Sequence, residues 1–143
     1  MHARRSHALS TSAFAPLTFA LGLFVMPVAA QSPMTDDAFD AYVTGHTLTY
    51  DYGAGVLGVE QYLPGRRVRW AFEGDTCLDG TWFQDADQIC FVYENDDIPQ
   101  CWHFYSTPGG LSATFLGDDL GSRITEIDKS TKPLACAGPD VGV

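Results

Sequence analysis

Asp75–Tyr105 reads DTCLDGTWFQDADQICFVYENDDIPQCWHFY and holds three of the four cysteines, two of the three tryptophans and seven acidic residues. Two short apolar runs, QICFVYE and QCWHFYS, flank an acidic segment with a proline, the pattern of a β-hairpin. A turn near Asn95–Ile98 sets Cys90 opposite Cys101, Phe91 opposite Gln100 and Val92 opposite Pro99. Cys90 and Cys101 then share a face, which a cross-strand disulfide requires. The remaining pair, Cys77 and Cys136, would tie a strand end to the carboxyl-terminal tail. If the hairpin register slips, the alternative is Cys77–Cys90 with Cys101–Cys136. No C-x-x-C pair and no C-x-x-C-H haem motif occurs, and the four cysteines lack metal-ligand spacing. The cysteines therefore read as staples.

Upstream of this hairpin the same two-residue period persists. In RRVRWAF, Val68, Trp70 and Phe72 form one face, and Arg67, Arg69 and Ala71 the other. In VLGVEQYL, Val59, Gln61 and Leu63 oppose Glu60 and Tyr62, and Pro64-Gly65 supplies a tight turn to the next run. With TLTYDY, GTWF, LSATFLG and SRITEID, these runs make about eight short strands and no βαβ pattern. The expected architecture is mainly β: an antiparallel meander, or a small eight-stranded calycin-like barrel whose closure removes exposed edges. A two-sheet sandwich is the alternative. Before the strands, SPMTDDAFDAYVTG predicts one short helix, with Thr35 as cap, Asp36 and Asp37 in the first turn, and Phe39, Tyr42 and Val43 on one face. So short a helix is marginal alone and should lie on the edge or mouth of the sheet.

Residues 1–30 read as a secretory signal peptide: Arg4 and Arg5, then an apolar stretch densest at Leu17–Val25, then small residues before a cut after Ala30. The expected mature chain, Gln31–Val143, is a single disulfide-stapled β-rich domain of 113 residues with no further membrane-crossing stretch. Loss of Arg4 and Arg5 leaves six basic residues against eighteen acidic ones, a net charge near −12. That charge repels nucleic acid and anionic lipid, and suits a basic protein partner or simple solubility.

Trp70, Trp82 and Trp102 fall on separate strands, either as core or as walls of an apolar ligand pocket, with Tyr50, Tyr52, Tyr62 and Tyr105 able to add polar groups. Tyr62 is included with the three tryptophans as a ligand-binding candidate. Arg67 and Arg69 share a face beside Arg66; they suit a small carboxylate or phosphate, or pairing with Glu60, Glu73 or another acid. The acidic turns Asp75–Asp79, Asp85–Asp87 and Glu94–Asp97 do not follow the calcium-loop spacing, so no metal and no cofactor is expected. His103 belongs to no metal or nucleophile motif, though Glu94 across the hairpin could make it a general acid or base.

TLTYDYG, VRWAFEG, GTW, ICFVYE and CWHFY together resemble small exported β-rich proteins of uncharacterised families in Gram-negative bacteria. The resemblance covers most of Thr47–Cys136, and the texture of CLDGTWF is similar to an avidin strand. A calycin-like barrel, as in lipocalins or avidin, is what this implies. Gly80 and Trp82 lie late for a lipocalin opening, so no ligand or catalytic residue is carried over. The expected function is a noncatalytic binding or accessory protein, periplasmic or secreted, whose partner is an envelope protein or a small apolar ligand. The alternatives are a small hydrolase using His103 and nearby acids, and a secreted enzyme inhibitor presenting Asn95–Pro99 as a loop.

Overall fold

A computed structural model describes residues 30–138. Residues 1–29, and with them nearly all of the signal peptide expected at 1–30, lie outside the described residues. One helix precedes eight strands: α1 (Asp36–Val43), β1 (Thr47–Asp51), β2 (Leu57–Leu63), β3 (Arg67–Phe72), β4 (Leu78–Asp85), β5 (Gln88–Tyr93), β6 (Asp96–Thr107), β7 (Gly110–Phe115) and β8 (Arg123–Ser130). Each strand is antiparallel to the next, and β1 pairs with β8, so the sheet closes into a calycin-like barrel and not a sandwich.

Alternation sorts the side chains. On β2 Gly58, Glu60 and Tyr62 are buried while Leu57, Val59, Gln61 and Leu63 are half-buried. The interior also receives Leu48 and Tyr50 from β1, Phe91 and Tyr93 from β5, Trp102 and Phe104 from β6, and Ile124 from β8. Such a small barrel has little room left once aromatic rings fill it.

The helix closes one end. Thr35 Oγ1 accepts from Ala38 N–H at 3.3 Å, and Asp36 and Asp37 occupy the first turn, where carboxylates complement the helix dipole. Phe39 and Val43, four residues apart, are fully buried. Phe39 sits edge-on to Trp82 at 5.1 Å and to Tyr62 at 5.7 Å, and 4.6 Å from Phe104 between ring centroids. Polar ties hold the rest: Arg66 to Asp36 at 2.7 Å, Tyr42 Oη donating to the Glu126 carboxylate, and Lys129 Nζ donating to Tyr42 O at 2.7 Å. Gly45 ends the segment at φ +83°, a conformation that glycine takes without steric penalty.

Both disulfides are formed as Cys90–Cys101 and Cys77–Cys136. Cys90 faces Cys101 and Phe91 faces Gln100, but the register then shifts and Tyr93 faces Asp96. The expected Val92–Pro99 pairing is therefore absent. The turn shortens to Glu94–Asn95, and a bulge accommodates Pro99, which has no N–H to give a ladder. Asn95–Pro99 accordingly comprises part of a tight turn and the first residues of β6, all of them exposed.

Candidate binding cavity

Opposite the helix the barrel stays open around a cavity of about 270 Å³. Tyr50, Tyr62, Phe91, Phe104 and Ile124 line its deep part, and Tyr52, Trp70, Phe72, Leu78, Gln100 and Trp102 complete the walls towards the mouth. Depth follows from strand position: Tyr62, Phe91 and Phe104 also touch Phe39 of the plug, while Phe72 is 42 % exposed at the rim. Near the mouth the rings pack on one another, with Tyr52 at 5.8 Å from Trp70, 5.6 Å from Phe72 and 6.4 Å from Trp102. The tilted and edge-on packing suits the ring quadrupoles.

Glycines shape this space. A Cβ on Gly58 would meet Trp70 Cη2 at 1.9 Å and Cζ2 and Cζ3 at 2.8 Å, so the outer edge of the indole occupies the space of a side chain that Gly58 lacks. On β4, Gly80 faces Tyr93, and a Cβ there would meet Tyr93 Cδ1 at 2.8 Å and the Val92 carbonyl at 2.5 Å. Gly80 thus admits the Tyr93 ring that reaches Glu60. Gly58→Ala is expected to displace Trp70, shift the tryptophan emission and cost about 1–3 kcal/mol of stability, as overpacking usually does. An unchanged emission maximum and denaturation midpoint would contradict this account of the wall.

One carboxyl lies among the rings. Glu60 is 3 % exposed, and Tyr93 Oη donates to its Oε2 at 2.9 Å. Its Oε1 is buried with no hydrogen-bond partner among the described residues. Burial pushes the Glu60 carboxyl up to about 8, against the opposing effect of the Tyr93 hydrogen bond. At neutral pH Glu60 is therefore mostly protonated, and because Oε2 already accepts from Tyr93, the proton resides on Oε1. Deeper, the Tyr50 and Tyr62 hydroxyls lie 2.9 Å apart. Burial raises the phenols of Tyr50, Tyr52, Tyr62 and Tyr93 above the ordinary tyrosine range, so they stay neutral.

The surroundings of the mouth are acidic. Loops 52–56, 73–77, 94–95 and 116–122 form this end and contain Glu73, Asp75, Glu94, Asp118 and Asp119 but no lysine or arginine. Asp96 and Asp97 continue the run at the start of β6.

Of the candidates read from sequence, Trp70, Trp102 and Tyr62 line the cavity. Trp82 does not: it is buried at the helix end under Phe39, with the Arg66 guanidinium 4.6 Å above its ring. Arg67 and Arg69 also lie elsewhere. The Arg67 Nε–H donates to the Pro64 carbonyl, and Arg69 pairs with a neighbouring acid, Asp79, across the β3–β4 ladder at 2.7 Å. Tyr105 packs beside His103 at 6.4 Å and is outside the cavity lining. His103 and Glu94 are not brought together. His103 lies 3.2 Å from Asp87 in the β4–β5 turn at the helix end, whereas Glu94 occupies the β5–β6 turn at the open end and accepts from Asp79 N–H. No group of three His, Cys, Asp or Glu side chains among the described residues is placed to hold a metal ion. Glu60 and Tyr93 enter the site through the structure. The available signal was Glu60 sharing a strand face with Tyr62.

The chain matches no protein-family model, and no curated protein or solved structure is significantly similar to it.

Proposed function

We propose that this chain is a noncatalytic binding protein that takes one small, largely apolar molecule into the open end of its barrel. The observation behind the proposal is the aromatic-walled cavity of about 270 Å³, closed by α1 at one end and open at the other. That space lies just under the roughly 300–1,000 Å³ usual for ligand pockets, which suits a small guest. An apolar pocket with few, well-placed polar groups is the usual form of a small-molecule site. All four cysteines are in disulfides, which suits an oxidising compartment, so the reading places the protein in the periplasm or outside the cell.

Trp70 and Trp102 line the cavity, so their emission should report occupancy. Titration with a panel of monocyclic aromatic compounds is expected to give at least one saturable change in tryptophan emission, confirmed at one-to-one stoichiometry by native mass spectrometry. Trp70→Ala should weaken that binding about tenfold or more, as loss of a buried aromatic anchor does. Absence of saturable binding across the panel, or reproducible turnover of a bound compound, would defeat the reading.

A further inference from the structure

Resting on the binding reading above, we infer that the cavity selects a small organic ammonium ion, an amine carried on an aromatic or aliphatic body, with Glu60 as its counter-ion. Three observations converge on this chemistry. First, Glu60 lines the cavity, and its Oε1 is buried without a partner among the described residues, which leaves a costly polar atom for a ligand donor to satisfy. Second, the walls around it present aromatic rings, Tyr52, Trp70 and Trp102 among them, whose negative faces attract a cation. Third, the open end carries Glu73, Asp75, Glu94, Asp96, Asp97, Asp118 and Asp119, against which Arg123 at the start of β8 sets a single positive charge, so the net field there draws cations inward. The acids alone would be a solvated rim; the orphaned oxygen inside makes them part of an approach path.

The proton balance is explicit. Before binding, Glu60 carries a proton on Oε1. An incoming R–NH₃⁺ donates an N–H to that oxygen as the carboxyl ionises, and the displaced proton passes to solvent. The other groups around Glu60 do not compete for it within the range of interest. Tyr50 on β1, Tyr52 just after it, Tyr62 on β2 and Tyr93 on β5 keep their protons, because burial raises all four phenols. Asp96 on β6 also lines the cavity, and Glu126 on β8 acts on Tyr50 through space; both carry the same sign of charge and favour a cation. With Glu60 titrating at about 8, binding at pH 7 should release about 0.9 proton.

The test uses the intact protein and three probes of matched size: 2-phenylethylamine, 2-phenylethanol and phenylacetamide. Calorimetry in buffers of different ionisation enthalpy, at pH 6, 7 and 9, reads both affinity and proton release. The amine, with a pKa near ~10 as for other alkyl ammonium groups, stays largely charged throughout. Its affinity should rise about 100-fold from pH 6 to pH 9 as the competent, ionised fraction of Glu60 grows. The two neutral probes should bind with little pH dependence. In Glu60→Gln the amine should lose both the pH dependence and the proton release, while far-ultraviolet circular dichroism remains that of the folded barrel. If phenylacetamide binds at least as tightly as the amine at pH 9, or if the amine is unaffected by Glu60→Gln, the ammonium assignment is overturned while the cavity reading stands. If none of the three binds, both fall.

Discussion

Glu60→Gln is expected to stabilise the ligand-free protein at pH 9 by about 5 kcal/mol and to leave it nearly unchanged at pH 4. The reasoning runs through proton uptake. Glu60 has an ordinary value of 4.5 and is pushed up to about 8 by burial in the folded barrel. Between those values the folded chain holds a proton that the unfolded chain has released. Stability therefore declines as pH rises through this window, and above pH 8 the folded state carries the full cost of a buried carboxylate. A separation of that size corresponds to about 5 kcal/mol. Glutamine removes the ionisation and keeps the shape: its carbonyl can accept from Tyr93 as Oε2 does, and its amide occupies the place of the protonated Oε1. Urea denaturation of both proteins at pH 4 and pH 9, followed by far-ultraviolet circular dichroism, measures the difference. Other titrations cancel between the two proteins, so an equal difference at both pH values would refute the assignment of a buried, largely uncharged Glu60.

The second large effect concerns the plug. Phe39→Ala should cost about 4 kcal/mol, within the range for deleting a fully buried phenylalanine that leaves a cavity. The ring touches Trp82, Tyr62, Phe91 and Phe104 at once, and these come from four different strands, so no single rearrangement can refill its volume. The Asp36–Arg66 pair cannot compensate, being partly exposed and screened by solvent. A control at the rim, Phe72→Ala, removes a side chain that is 42 % exposed and should cost under about 1 kcal/mol. Denaturant midpoints with unchanged slopes would establish both values. A loss below about 1 kcal/mol for Phe39→Ala would mean that the helix is an ornament on a barrel already sealed by its own side chains.

The two predictions mark where sequence reading succeeds and where it stops. Period-two patterning in β3 and the facing of Cys90 with Cys101 are local properties, and they carry the strand assignments and the hairpin face into the structure. Closure is consistent with eight short strands and no crossover helix. The bulge at Pro99 escaped because alternation shows which face a residue occupies and not where one strand gains residues over its partner. Glu60 escaped because β2 offers apolar residues on both faces, Val59 and Leu63 on one and Tyr62 on the other, so hydropathy does not say which face turns inward. Trp82 and Trp70 look alike along the chain, but height along the barrel axis is set by the stagger between strands, which places one under the plug and the other at the mouth. Arg69 meets Asp79 through the β3–β4 register, a long-range fact.

The plug also makes the cavity a dead end. A molecule that enters past Phe72 and Asp96 can leave only by retracing its path, because Phe39 and Val43 fill the far side. Motions of that single portal speed or slow arrival and departure alike, and so alter exchange rates without moving the equilibrium. Contacts in the interior act mainly on how long an occupant stays. On the proposed reading the barrel is a vessel and not a conduit, with the portal acting on exchange alone and the interior on affinity.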